Sequence, residues 1–268
     1  MPSPLIMGIV NFTPDSFSDG GRHLDADAAL THARRLIAEG ADILDIGGES
    51  TRPGAAPVAE AEELARVIPL ITAIRAGSAV PISIDTLKPT VARAAVAAGA
   101  TMWNDVTALL GAADAPKVAA ELGCPVVLMH MLGEPGTMQD APRYGDVVGE
   151  VEAFLLARAE VAMAAGVARE DIWLDPGIGF GKTLDHNLAL LRAMPRLVAL
   201  GFPILLGVSR KRFIAAIDPA AGDAGGRLGG SLAAALEGAR AGVAAVRVHD
   251  VRETVQALKV QAAIGAEH

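Results

Sequence analysis

Asp42-Ile-Leu-Asp-Ile-Gly-Gly-Glu-Ser-Thr-Arg-Pro-Gly54 begins as a short apolar run and ends as a polar loop. The run to Ile46 reads as a strand. Two glycines, a carboxylate, two hydroxyls, an arginine and a Pro-Gly turn follow it. Glycines let a backbone approach a ligand closely, and Ser50, Thr51 and Arg52 offer donors suited to an anion. Taken alone, the stretch is an ordinary βα loop punctuated by Gly and Pro. Its weight comes from recurrence, because a similar polar stretch follows almost every later strand-like run.

Working outward, Leu5 to Val10 reads as the first strand and Asp25 to Glu39 as a helix stopped by Gly40. Helices are expected at Ala59 to Arg75, Pro89 to Ala98, about Ala115 to Leu122, about Asp146 to Ala165 and near His186 to Leu200, the last kinked at Pro195. A helical stretch after Val208 should break at the Gly-rich Gly222 to Gly230 and resume over Ala233 to Ala241. Arg252 to Ile264 closes the chain. The remaining strands fall at Pro81 to Asp85, Thr101 to Asn104, Pro125 to His130, Ile172 to Asp175, Pro203 to Val208 and Ala245 to Val248. Strand–helix alternation repeated about eight times over roughly 250 residues is the pattern of a (β/α)₈ TIM barrel. A doubly wound open sheet gives the same local pattern, and strand number and length favour the barrel. With no linker or low-complexity segment, residues 1–268 read as one domain.

The composition fits Ala-rich helices around a Val/Ile/Leu sheet: 51% of the 268 residues are hydrophobic and only 3% aromatic. A net charge of -8 argues against a general nucleic-acid surface, though not against an anionic small ligand. The single cysteine, Cys124, rules out a disulfide framework or a thiolate metal cluster. No basic leader precedes Leu5, and no apolar run is long enough to span a bilayer, so a cytoplasmic protein without membrane partners is expected.

Barrel strands deliver their C-terminal ends to one mouth. Those ends carry Asn11, Asp45, Asp85, Asn104, Met129-His130, Asp175, Ser209-Arg-Lys211 and Arg247-Val-His249. Individually, Asp85 could cap a helix, Asn104 and Asp175 could serve turns, and His130 reads best as a core histidine. Arg247 and His249 are two apart on one strand and face the same way, which suggests an anion clamp. In Asp175-Pro-Gly-Ile-Gly-Phe-Gly-Lys-Thr183 the phosphate-loop spacing puts Pro176 where glycine is needed. The dinucleotide spacing puts Lys182 at the third glycine, so both motifs fail. The glycines instead suit close passage of backbone beside a flat ligand, with Phe180 against its face. Two acids, an amide and a lysine around one pocket match a heterocycle rich in N–H groups, since a carboxylate can accept two parallel N–H bonds.

In this order, Met7-Gly-Ile-Val-Asn-Phe-Thr-Pro-Asp-Ser-Phe-Ser-Asp-Gly-Gly21, Gly47-Gly-Glu-Ser-Thr-Arg-Pro-Gly54, Ile84-Asp-Thr86, Asn104-Asp-Val106 and Leu128-Met-His-Met131 resemble the dihydropteroate synthase family. So do Asp175-Pro-Gly-Ile-Gly-Phe-Gly-Lys182, Ser209-Arg-Lys211 and Arg247-Val-His-Asp-Val251. The resemblance spans nearly the whole chain. It implies a homodimeric TIM barrel that joins a dihydropterinylmethyl diphosphate to 4-aminobenzoate with Mg²⁺, with sulfonamides as competitive inhibitors. It further implies that Asp85, Asn104, Asp175 and Lys211 bind the pterin edge, with Met129 and Phe180 lining its pocket. Arg247 would stack on the ring and, with His249, Asn11, Thr51 and Arg52, hold the diphosphate. Asp85, Lys211, Arg247 and His249 would be the catalytic set. Asn11 and Asp19 would lie at the magnesium site, and Phe17 and Pro53 would come from two loops covering the aminobenzoate. Where many members carry serine after Ser-Arg-Lys, this chain has Arg212, so only a backbone N–H remains there for the aminobenzoate carboxylate. A barrel methyltransferase acting on a pterin cofactor, or a catalytically silent pterin-binding homologue, are the competing readings.

Overall fold

The computed structural model describes residues 3–12, 22–50, 57–133, 138 and 141–265, with backbone alone for 22–25. Eight parallel strands alternate with helices. The strands are β1 (Leu5–Asn11), β2 (Ile43–Gly47), β3 (Ile82–Asp85), β4 (Met102–Asp105), β5 (Val126–Met129), β6 (Ile172–Asp175), β7 (Leu205–Gly207) and β8 (Ala245–Val248). Their order is β6-β5-β4-β3-β2-β1-β8-β7, and a parallel bridge between Leu174 and Ile204 joins β6 to β7. That bridge closes the ring, so the barrel reading holds over the open sheet.

The helices are α1 (Arg22–Glu39), α2 (Glu60–Arg75), α3 (Pro89–Ala97), α4 (Ala115–Leu122) and α5 (Val147–Ala165). They continue as α6 (Leu184–Arg192), α7 (Met194–Val198), α8 (Arg212–Ile217), α9 (Leu228–Ala241) and α10 (Val251–Gly265). Local chemistry sets several boundaries. Asp146 caps α5 by accepting from Val148 N, and Thr183 and His186 form a reciprocal box at the start of α6. Left-handed Gly123, Gly166 and Gly242 end α4, α5 and α9.

Two expectations need correction. The helix near His186 to Leu200 is not kinked but divided: α6 stops at Arg192, and Pro195 sits in the first turn of α7. Proline lacks the N–H that an interior position needs, whereas a first-turn position leaves that donor unpaired anyway. The Gly-rich segment breaks the chain only as far as Arg227, and Gly229 and Gly230 lie inside α9. A Cβ at Gly230 would collide with Ile214, so this glycine permits the close approach of α9 to α8. Packing has overridden propensity there.

Strand periodicity divides the core in two. Val10, Leu44, Ile46, Ile84, Trp103, Leu128 and Leu206 face outward into the layer beneath the helices. Met7, Ile43, Met102, Val127, Leu205 and Ala245, with Trp173 against them, fill the barrel lumen. The lumen is therefore a plug of side chains, and whatever points inward above it forms the floor of the mouth.

Candidate active site

Stepping two residues up from the lumen plug changes the chemistry from apolar to polar on β2, β4, β6 and β8. Ile43 gives way to Asp45, Met102 to Asn104, Trp173 to Asp175 and Ala245 to Arg247, while β3 offers Ser83 and Asp85. In register, Asp45 lies opposite Ser83, Gly47 opposite Asp85, Asp85 opposite Asn104, Met129 opposite Asp175, and Gly207 opposite Arg247. Asp45, Ser83, Asp85, Asn104, Met129 and Asp175 are all buried.

On the side built by β2, β3, β4 and β8, one guanidinium serves two acids. Arg247 Nε donates to Asp45 Oδ2 at 2.6 Å and Nη2 to Asp85 Oδ2 at 2.7 Å. Asn104 Nδ2 also donates to Asp45 Oδ2, at 3.2 Å. Among the described residues, Asp45 Oδ1, Ser83 Oγ and Asp85 Oδ1 are buried with no hydrogen-bond partner. Burial raises the Asp85 carboxyl to about 7 against the pull of Arg247, with Asp45 adding to the rise. Burial opposes the Arg247 charge, but Asp45 and Asp85 together hold its pKa above the ordinary arginine value.

The side built by β5, β6 and β7 reverses the arrangement, with two lysines around one acid. Asp175 Oδ1 accepts from Gly177 N at 2.7 Å, and burial raises its carboxyl while Lys211 opposes the rise. Lys211 Nζ donates to the Ile178 carbonyl and lies 4.6 Å from the centroid of the Phe180 ring. Burial lowers Lys211 to about 8 and Lys182 to about 7, with Asp175 resisting in both cases. Lys182 Nζ donates to His130 Nδ1 at 2.9 Å, to the Phe180 carbonyl at 3.0 Å and to the His130 carbonyl at 3.3 Å. When Lys182 carries its proton it can only donate, and His130 Nδ1 then accepts. Burial, followed by the Lys182 charge, pushes its pKa down to about 3. Positive-φ Gly177 and Gly181 lie so close to the His130 and Leu132 carbonyls that a Cβ at either would collide. The glycine loop is thus pressed flat onto the segment after β5, so these two glycines are required by packing of backbone on backbone and not by approach to a ligand.

His249 lies just past β8 on the same face as Arg247, and its Nδ1 is 3.0 Å from Ser209 Oγ. Asn11 ends β1, and a Cβ placed at Gly47 would come 3.8 Å from its Oδ1. Before residue 51 the chain is well anchored: Arg66 donates to the Gly48 carbonyl at 2.8 Å, and Glu49 accepts from Lys88 and from Val58 N. Thr51, Arg52, Pro53, Phe17 and Asp19 lie outside the described residues.

The structure therefore brings Asp85, Asn104, Met129, Asp175, Phe180, Lys211, Arg247 and His249 around one mouth. Three features escaped sequence reasoning: the bonds Asp45 makes to Arg247 and Asn104, the Lys182–His130 contact and the Ser209–His249 contact. The position of Asp45 in its inward column was the one readable signal. His130 is a buried histidine, as expected, but it is also the acceptor for a buried lysine.

A family model described as pterin binding enzyme matches residues 7–249. The dihydropteroate synthase of Neisseria meningitidis serogroup C is 50% identical over 268 residues, covering 99% of this chain and 94% of that protein. The structure of Xanthomonas albilineans dihydropteroate synthase with 4-aminobenzoic acid superimposes with a TM-score of 0.93 at 52% identity, covering 99% of this chain and 94% of that one. Yersinia pestis dihydropteroate synthase in a sulfonamide drug complex superimposes with a TM-score of 0.92 at 44% identity, covering 98% of this chain and 94% of that one.

Proposed function

The chain belongs to the pterin-binding enzymes and, among them, to the dihydropteroate synthases, and from that premise we propose how its barrel mouth divides the work. The reaction condenses (7,8-dihydropterin-6-yl)methyl diphosphate with 4-aminobenzoate, giving 7,8-dihydropteroate and diphosphate. Asp85, Asn104, Asp175 and Lys211 bind the edge of the pterin, and Met129 and Phe180 line its faces. Arg247 and His249, with Asn11, Thr51 and Arg52, hold the diphosphate. Phe17 and Pro53 cover the aminobenzoate. The supporting observation is the pairing of opposite charge patterns across one mouth: Arg247 between Asp45 and Asp85, facing Asp175 between Lys182 and Lys211.

Substitution at the pterin methylene proceeds dissociatively. Negative charge grows on the departing diphosphate, and donors already aimed at it lower the barrier without reorganising. Positive charge grows on the methylene, close to an acid pair that outnumbers its arginine. The aromatic amine is unprotonated at neutral pH, so its attack needs no general base. Asn11 suits magnesium as a neutral oxygen donor. No group of three or more His, Cys, Asp or Glu side chains that could hold a metal occurs among the described residues, and Asp19 lies outside them. Asn11, with Asp19, would hold the ion, which when bound supplies neutralisation of diphosphate charge.

Sulfonamides, as bound by the Yersinia relative, would compete for the aminobenzoate place. Residues 1–268 act as one domain and pair as a homodimer in the cytoplasm, with no nucleic-acid or membrane partner. No helix among the described residues is long and apolar enough to cross a membrane.

The deciding experiment follows diphosphate release from the pterin diphosphate with Mg²⁺, with and without 4-aminobenzoate, while dihydropteroate is quantified. Aminobenzoate-dependent, stoichiometric formation of both products is expected. Tight pterin binding with no release of diphosphate would overturn the reading in favour of a silent pterin-binding homologue.

A further inference from the structure

We infer that Asp45 is a positioning residue for this reaction, orienting Arg247 and Asn104 together from beneath the substrate. The inference rests on the pterin reading of the mouth. Asp45 sits on β2 between the lumen residue Ile43 and the mouth residue Gly47, and it is 0% exposed. Its register partner is Ser83, one inward step below Asp85. A group at that depth acts on a ligand through the side chains above it.

Two bonds define how it acts. Asp45 Oδ2 accepts from Arg247 Nε at 2.6 Å and from Asn104 Nδ2 at 3.2 Å. A carboxylate offers no N–H, so Asn104 must present its NH₂ end downward. The amide oxygen then turns toward the mouth, and the substrate meets an acceptor instead of an ambiguous amide. Arg247 is held at Nε by Asp45 and at Nη2 by Asp85, so two acids on different strands set the plane of the guanidinium. One carboxylate thereby decides both the polarity of a pterin contact and the attitude of the cation above it.

The orphaned atoms argue that this arrangement serves more than cohesion. Asp45 Oδ1, Ser83 Oγ and Asp85 Oδ1 are buried without partners among the described residues. Unsatisfied buried acceptors are costly, and apolar side chains could occupy the same layer, as they do one step below. Such cost is expected where geometry at a working site matters more than local stability.

The test is steady-state kinetics on D45N, N104D and the swap D45N/N104D, with each substrate varied in turn and thermal melts of every variant. In D45N the amide at position 45 can either donate or accept, so Asn104 loses its enforced orientation and Arg247 loses a charged partner. Relative to wild type, KM for the pterin diphosphate should rise about tenfold and kcat fall about 10- to 100-fold, with KM for 4-aminobenzoate unchanged. The swap rebuilds a donor–acceptor pair and again turns an oxygen toward the mouth. It should bring pterin KM back to within about threefold of wild type while kcat stays low. Wild-type constants in D45N, or losses that affect both substrates equally and track the melting temperature, would overturn the inference. If D45N does not fold, the swap decides alone, and a pterin KM as poor as that of N104D counts against the inference. A wild-type protein that forms no dihydropteroate would instead defeat the underlying reading of the mouth.

Discussion

The two sides of the barrel mouth handle buried charge in opposite ways. Around β2, β3 and β8, one arginine stands between two carboxylates, Asp45 and Asp85. Around β5, β6 and β7, one carboxylate, Asp175, stands among two lysines, and the neighbouring histidine is neutral. With every ionisable group charged, the first side carries one excess negative charge and the second one excess positive charge. Arginine cannot shed its proton, so the strain of burial on the first side falls on an acid, and Asp85 rises to about 7. Lysine can lose its proton, so on the second side burial lowers the bases as well, to about 7 and 8, while also raising Asp175. The acid-rich side suits a developing cation, and the lysine side suits the carbonyl and ring nitrogens of a heterocycle. Keeping the two apart on adjoining strands lets both operate within one pocket.

Breaking the first side should have the larger effect. R247A removes the only guanidinium touching Asp45 and Asp85 among the described residues and leaves both acids buried without it. Loss of one partner from a buried ion pair costs about 3–5 kcal/mol, and loss of a preorganised donor about 10²- to 10³-fold in kcat. Urea denaturation should show the first and steady-state kinetics the second. Wild-type stability would mean that the two acids share a proton easily, and the asymmetry between the sides would then vanish. K211M tests the other side. It should lower kcat/KM by about 100-fold while leaving stability within about 1 kcal/mol of wild type, because removing a buried ammonium also removes its desolvation cost. Equal stability losses in R247A and K211M would refute the contrast.

The same contrast explains what could be read from the sequence. Asp85, Asn104, Asp175 and Arg247 were legible because each follows an apolar run on a strand whose side chains alternate, and that period is local information. The bonds from Arg247 to Asp45 and Asp85 cross 202 and 162 residues of sequence, and no local pattern encodes which inward carboxylates a long side chain will reach. Lys182 illustrates the second side. In sequence it is only the residue that makes a phosphate-loop motif look familiar, and its three acceptors become visible once the glycine loop lies across the end of β5. Likewise, Gly230 reads as a helix breaker until Ile214 is seen against it. Thr51 and Arg52 read as anion donors from their loop, whereas Pro53, Phe17 and Asp19 rest on family resemblance alone.

A smaller effect is expected where the lysine side touches substrate only indirectly. K182M leaves Lys211 and Asp175 in place but removes the donor shared by the His130 and Phe180 carbonyls. The Phe180 wall should loosen, raising pterin KM about three- to tenfold with kcat nearly unchanged. A larger drop in kcat than in apparent pterin affinity would place Lys182 among the reacting groups and not behind them.

The finest distinction between the two sides is their pH dependence. A lysine whose folded pKa is depressed binds fewer protons in the folded than in the unfolded state over the interval between its two pKa values. Stability therefore rises with pH across that interval, from about 7 for Lys182 and about 8 for Lys211 up to the ordinary lysine value. An acid whose folded pKa is raised does the reverse: Asp85 makes stability fall as pH climbs from its ordinary value to about 7. Melting temperatures of K182M and D85N, measured from pH 4 to 10 beside the wild type, should separate the two. K182M should lose part of the upward slope above pH 7 and match the wild-type slope below it, whereas D85N should lose part of the downward slope below pH 7 and match it above. Crossed behaviour, with K182M altering the acid range, would mean that Lys182 and the Asp85 side titrate as a single coupled network, so that the mouth has one charge system instead of two.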